Sequence, residues 1–403
     1  MTTPAVERPR LAIDGGPPVR ATPLPYAHQV IDERDVEAVV AALRSDWLTT
    51  GPRVRELEAR LEEITGVGHA VTFSSGTAAL HGAAAAAGLG PGEEAITSPM
   101  TFVATANAIL YMGATPRFAD IEGGTLLLDP EQVRRVAGPG TKAVLPVDYA
   151  GQPANYTAIR EALHDAGVPG ALVIADASHS LGAVRDGTPV GRLADLTVLS
   201  LHPAKIVTTG EGGAVLTDRE DLADRLRRFR NHGIATELAA RRDWRYDMVE
   251  LGFNYRLTDI GSALGLAQLE RIEEFIARRR ALASRYLAAL SDHWAIEVPV
   301  VEDGADPAWH LFVVRLRLDR LTVDRGGIYQ AMRAEGIGVN VHYIPVHLHS
   351  YYRQVFPELE GTLPVAEAVY PRLLTLPLFA GMTDDDLDDV VAALDKVVTA
   401  YRA

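Results

Sequence analysis

Of thirty-nine basic residues only three are lysines, Lys142, Lys205 and Lys396, and the rest are arginines. A lysine amine can lose its proton and attack a carbonyl, whereas a guanidinium stays charged, so the position of each lysine carries information. Lys142 opens an apolar run and Lys396 sits in a helical stretch near the end of the chain, both ordinary solvated settings. Lys205 follows the apolar run LTVLSL within SLHPAKIVTTGEGGAV, between a strand end and a glycine-rich turn, where it could form a Schiff base. Asp176 ends another run, ALVIAD, and is expected at the same sheet edge. Taken alone it could be a helix cap. A lysine paired with a carboxylate suits pyridoxal phosphate, which needs one group for its aldehyde and another to keep its ring nitrogen protonated. His179, three residues on, either flanks that ring or packs.

The phosphate of such a cofactor needs donors. HAVTF runs into Ser74-Ser75-Gly76-Thr77 and then an alanine-rich helical stretch, which predicts free backbone N–H groups and hydroxyls at a helix N-terminus. Ser200, five residues before Lys205, offers a second hydroxyl. No Gly-Lys-Ser or Gly-Lys-Thr occurs, which excludes a P-loop. His342, His347 and His349 lie in NVHYIPVHLHSYYR, with the last two expected on one face of a strand. No carboxylate neighbours them in sequence, so substrate contact or packing is favoured over metal, and no metal is expected.

These residues need a scaffold, and the 403-residue chain is long enough for two or three domains. Short apolar runs alternate with helical stretches from residue 69: HAVTFSS, EAITSP, TPRFADI, KAVLPVDY, ALVIADAS and LTVLSL. Runs apolar almost throughout suit strands covered on both faces, so an α/β fold with a mostly parallel sheet is expected, with chemistry at the carboxyl ends of its strands. Near Ile260 the rhythm gives way to one long amphipathic helix through Leu290 that bridges to a smaller α+β domain. The last helix is expected to open at Thr383, followed by three aspartates. The boundaries read as an N-terminal segment 1–29, a large domain 30–270 and a small domain 271–403.

Composition removes other classes. A net charge of −14 disfavours nucleic acid and anionic membrane surfaces. The absence of cysteine rules out disulfides, thiolate nucleophiles and Cys-ligated metal. The charged start and the lack of any run near 18 apolar residues lead to the expectation of a soluble cytoplasmic protein.

Together the motifs resemble the DegT/DnrJ/EryC1/StrS family of pyridoxal-phosphate-dependent sugar aminotransferases. The segments that carry the likeness are DWLTTGP, FSSGTAALH, SPMTFVATANAI, ADASHSLGA, SLHPAKIVTTGEGGAVLTD and GFNYRLTDIGSALGLAQL, and the lysine block is the most specific. GIGVNVHYIPVHLHSYYR looks most like the branch that aminates C4 of UDP-4-keto-6-deoxy-N-acetyl hexoses on the way to pseudaminic acid. The resemblance implies the type I aminotransferase fold, a homodimer, L-glutamate as donor and a nucleotide-linked keto sugar as acceptor. It implies that Lys205 holds the cofactor and shuttles protons, that Asp176 binds the ring nitrogen and that His179 flanks the ring. Phe102 would stack on the ring face, and Gly76, Thr77 and Ser200 would hold the phosphate. Asn254 would reach that phosphate from a neighbouring subunit, with Thr50 and His347 facing the sugar nucleotide. Amination of a keto-inositol or a 3-keto sugar, and a regulatory protein without turnover, stay open as alternatives.

Overall fold

The structure is a computed structural model that describes residues 9–235 and 244–403. All six expected runs are strands, and they join a seventh, Gly213–Thr217, in one sheet. The spatial order is His69–Phe73, Gly213–Thr217, Leu196–Ser200, Leu172–Asp176, Thr141–Leu145, Glu94–Thr97 and Thr115–Phe118. Gly213–Thr217 runs antiparallel to both its neighbours, while the other strand pairs are parallel. Phe73, Thr97, Asp176 and Ser200 therefore end their strands at a common edge. Apolar side chains from both sheet faces, such as Val71, Ile174 and Val198 on one and Ala70, Val173 and Leu199 on the other, are buried in separate clusters. This two-sided burial explains the continuous apolar runs.

The long bridging helix is two helices, Asp259–Leu269 and Ile272–Leu290. Between them Arg271 leaves helical geometry at φ −110° and ψ 10°. Its guanidinium is buried against Asp32 at 2.7 Å and Asp35 at 2.5 Å. Those two aspartates form the capping box of the helix Glu33–Arg44. A tertiary ion-pair network thus occupies the place where the apolar pattern runs on. Ile272, Phe275 and Ile276 still pack on the large core, and from Leu282 the helix packs into a second core.

That second core surrounds a three-stranded antiparallel sheet of Ile296–Glu297, Phe312–Leu316 and Leu373–Leu376. The strand Phe312–Leu316 is buried along its whole length instead of on alternate residues. Leu11 and Leu24 of the N-terminal segment also belong to this core. The last helix, Asp384–Ala400, opens on a capping box in which Thr383 and Asp386 each accept the other's backbone N–H. No helix among the described residues is long and apolar enough to cross a membrane.

Candidate active site

A cleft of about 590 Å³ opens at the carboxyl edge of the large sheet, and the side chains of Lys205, Asp176, His179, Phe102 and Ser200 line it. Gly76 and Thr77 stand at one end, at the start of the helix Gly76–Ala86. Ser75 caps that helix by accepting the N–H of Ala78. A side chain at Gly76 would come to 3.0 Å from Cβ and Oγ of Ser200, a tight contact that glycine avoids where the helix start approaches the neighbouring strand end. Backbone N–H groups and the hydroxyls of Thr77 and Ser200 gather there, the donor set an anion requires.

Asp176 is buried and held from two sides. Its Oδ2 accepts the Thr105 hydroxyl at 2.6 Å, and its Oδ1 accepts the Ser178 hydroxyl at 2.6 Å and the Ser178 N–H at 3.2 Å. Thr105 is linked in turn to the Thr101 hydroxyl at 2.7 Å. Three accepted bonds leave an ionised carboxylate room for one further donor. Lys205 follows the strand Leu196–Ser200 in an irregular turn, where Lys205 N–H donates to His202 C=O at 2.8 Å. Its amine is pulled down from the usual lysine range to about 8 by desolvation, against the opposing pull of Asp176. At neutral pH roughly a tenth of Lys205 is thus the neutral nucleophile, far more than for a solvated lysine.

His179 is buried, with Nε2 3.0 Å from the Tyr343 hydroxyl and a buried Nδ1 that has no partner. Its ring centre lies 4.4 Å from that of His310, and the Nδ1 of His310 is likewise unpartnered. Burial holds both imidazoles well below the ordinary histidine range, helped by the charge of Lys205. His342 is pushed down to about 3 by the same causes. Three neutral imidazoles therefore back the cleft. Phe102 is 58% exposed although it faces into the cleft, which leaves an aromatic face available for a flat ring.

Three expected residues do not line this cleft. Thr50 is exposed, at φ 58°, an unusual backbone state for a β-branched residue. Its segment is fixed by Asp259, whose carboxylate accepts the N–H groups of Gly51 at 2.7 Å and Arg53 at 3.0 Å. Asn254 is exposed and its backbone bridges to Asn231. His347 is buried and bonds Glu367 through Nε2 at 3.1 Å. The expectation that His347 and His349 share a strand face does not hold: Val346–Leu348 is a single 3-10 turn that leads into the helix Ser350–Val355. A carboxylate absent from the neighbouring sequence also reaches His347 through space. Sequence reading passed over Thr105, Tyr343 and His310. Thr105 lies three residues after Phe102, a helical spacing that was legible, whereas Tyr343 and His310 come to the site only by folding of the small domain.

A nucleophilic lysine and a buried carboxylate at the carboxyl edge of a mostly parallel sheet, with an anion site at a helix N-terminus and an open aromatic face, define a fold type I pyridoxal-phosphate enzyme. The comparisons with known proteins agree. The DegT/DnrJ/EryC1/StrS aminotransferase family matches residues 29–395. The spore coat polysaccharide biosynthesis protein SpsC of Bacillus subtilis is 38% identical over 380 residues, covering 93% of this chain and 97% of the relative. PseC of Helicobacter pylori, an aminotransferase of pseudaminic acid biosynthesis, superposes with a TM-score of 0.87 at 29% identity, covering 94% of this chain and 100% of its own. Spr1654 of Streptococcus pneumoniae, described as a sugar aminotransferase and solved in pyridoxal-phosphate and pyridoxamine-phosphate forms, gives the same TM-score of 0.87 at 29% identity over 93% of this chain and 98% of its own. The chain belongs to the DegT/DnrJ/EryC1/StrS family and is a pyridoxal-phosphate-dependent sugar aminotransferase.

Proposed function

We propose that the chain transfers an amino group from L-glutamate to C4 of a nucleotide-linked 4-keto-6-deoxy sugar, as a cytoplasmic homodimer whose active sites are shared. The convergence of Lys205 and Asp176 on one cleft, in a chain of which 94% superposes on the whole of PseC, carries this reading. When bound, pyridoxal phosphate supplies the reactive carbonyl and the electron-withdrawing ring. The chain's own groups then have separable tasks. Gly76, Thr77 and Ser200 bind the phosphate, and Phe102 packs on the ring face. Asp176 keeps a proton on the ring nitrogen, and Thr105 and Ser178 hold its carboxylate in place. His179 flanks the ring as a neutral imidazole oriented by Tyr343. Lys205, with its amine near 8, takes and returns protons at Nζ.

Asn254 and Thr50 are assigned to the partner subunit's cleft. They lie outside their own cleft but on linked segments, since Thr49 bridges to Thr258 and Leu48 C=O accepts the Asp259 N–H at 3.1 Å. Leu43, Trp47 and Leu48 are about half exposed beside them, and a second copy covering them favours the dimer. The domain division at 270/271 belongs to the same reading; the helix break at Arg271 supports it, although the helix leaves the large core only further on, between Ile276 and Leu282. Incubation with a panel of nucleotide keto sugars and mass spectrometry of the products tests the substrate. A sugar aminated at C4 with glutamate consumed supports the proposal; amination at C3, or of a keto-inositol alone, overturns it.

A further inference from the structure

We propose that Asp148 is a positioning residue of this active site, holding the turn that presents Asp176 and His179 to the cleft. The inference rests on the reading that these two residues face the cofactor ring. Asp148 follows the strand Thr141–Leu145 and is completely buried with no cation beside it. Its Oδ2 accepts the Ser180 hydroxyl at 2.5 Å. Its Oδ1 accepts the Tyr156 hydroxyl at 2.5 Å and the Ala154 N–H at 2.8 Å. Its backbone N–H donates to Asp176 C=O at 3.0 Å, and Asp176 N–H returns to Pro146 C=O at 2.8 Å. One residue thus grips both ends of the 176–180 turn, the strand end at Asp176 and the residue that follows His179. Within the turn, Ser180 N–H donates to Ala177 C=O at 3.1 Å and Ser178 to the Asp176 carboxylate. Outside it Ala177 N–H donates to Val198 C=O at 2.9 Å, Thr105 bonds Asp176 and Tyr343 bonds His179, but among the described residues Asp148 alone bonds both Asp176 and Ser180.

Tyr156 from the helix Tyr156–Asp165 and Asp176 from the neighbouring strand are the titratable groups that face Asp148. Arg185 donates instead to Pro153 C=O at 2.9 Å and pairs with Glu302, and no ion pair to Asp148 is found among the described residues. Burial and the charge of Asp176 push the Asp148 carboxyl up to about 6, even though three donors favour its ionised form. Between its ordinary value of 3.8 and about 6 the folded chain holds a proton that the unfolded chain has released. Stability therefore rises as pH falls through that window, and the ionised carboxylate opposes folding above it. A residue kept only for stability would be neutral here. The charge is instead spent on strong bonds to the turn, because hydrogen bonds to a carboxylate are about twice as strong as neutral ones.

Asp148→Asn has the shape of the protonated acid and separates grip from stability. Hydrogen exchange of the 176–183 amides, corrected for intrinsic rates, reads the turn without any cofactor. In the wild type, protection should fall as pH drops from 7.5 through about 6, because local opening removes the Ser180 bond that favours the carboxylate while Asp148 itself stays buried. In Asp148→Asn it should be low and flat across that range, with an unchanged or raised Tm. With cofactor loaded, Asp148→Asn should lose turnover by about three- to tenfold at pH 7.5, in kcat more than in KM, and lack the acid limb of the wild type. Ser180→Ala should reproduce the kcat loss while the carboxylate keeps its other two bonds. Wild-type exchange and pH profile in Asp148→Asn, or a Tm that falls in step with activity, would overturn the proposal. If the exchange result holds while no sugar is aminated, the reading of the reaction fails and the role of Asp148 in the turn stands.

Discussion

At the floor of the cleft every oxygen of Asp176 has a partner within its own chain, and Ser200 at a strand end and Lys205 and His179 on the turns that follow strands line the same cleft. Some distance away, at the Thr50 and Asn254 segments, the chain presents exposed polar residues beside half-exposed Trp47 and Leu48, and a threonine held at φ 58° with no cleft of its own to serve. The floor is a finished electrostatic device, while the rim is an exposed surface, the one the proposed dimer would cover. On the proposed dimer reading, chemistry resides in one chain, and access and recognition are divided between two.

Breaking the floor should give the largest effects. Lys205→Ala and Lys205→Arg are each expected to lower turnover by roughly 10³-fold or more, because neither leaves an amine that can attack and exchange protons. Stopped-flow or endpoint transamination assays measure this directly. Asp176→Asn should retain some cofactor and lose turnover by roughly 10²-fold, the scale of removing one partner of a buried charged pair. Wild-type rates in that variant would refute the pairing of Asp176 with the ring nitrogen.

The rim is tested by mixing chains. A bulky Asn254→Trp change that inactivates by itself, combined with Lys205→Ala chains, should recover up to one intact site per heterodimer, since one site then receives both good residues. No recovery after verified subunit exchange, or a fully active monomer in analytical ultracentrifugation, would remove the division between floor and rim. Smaller effects sharpen the floor. Thr105→Val should reduce turnover by about tenfold by taking one hydrogen bond from a buried carboxylate. The rate of cofactor capture should climb as pH rises through about 8, because only neutral Lys205 attacks. Asp176→Asn should shift that limb to lower pH, since Asp176 is the group that raises the Lys205 value.

How far the sequence disclosed this arrangement follows the range of the forces involved. The parallel strands were legible because burial on both faces leaves a local apolar mark, and Lys205 was legible because lysine is scarce. Gly213–Thr217 was hidden behind the glycines of TTGEGG. The break at Arg271 could not be read, because its cause is an ion-pair network with Asp32 and Asp35 more than two hundred residues away. His347 was misplaced for a similar reason: Glu367 binds it, and a turn stands where alternation suggested a strand. His310 and Tyr343 enter the site from the small domain, so no local spacing pointed to them.

The central claim is that Lys205 and Asp176 form a transaminase floor, and one measurement tests it most directly. The protein loaded with pyridoxal phosphate is reduced with borohydride and its peptides are mapped, with a parallel sample treated first with L-glutamate and followed by absorbance. The label is expected on Lys205 alone, with an absorbance change on adding glutamate that removes the reducible bond. A label on Lys142 or Lys396, or a spectrum indifferent to glutamate, would contradict it.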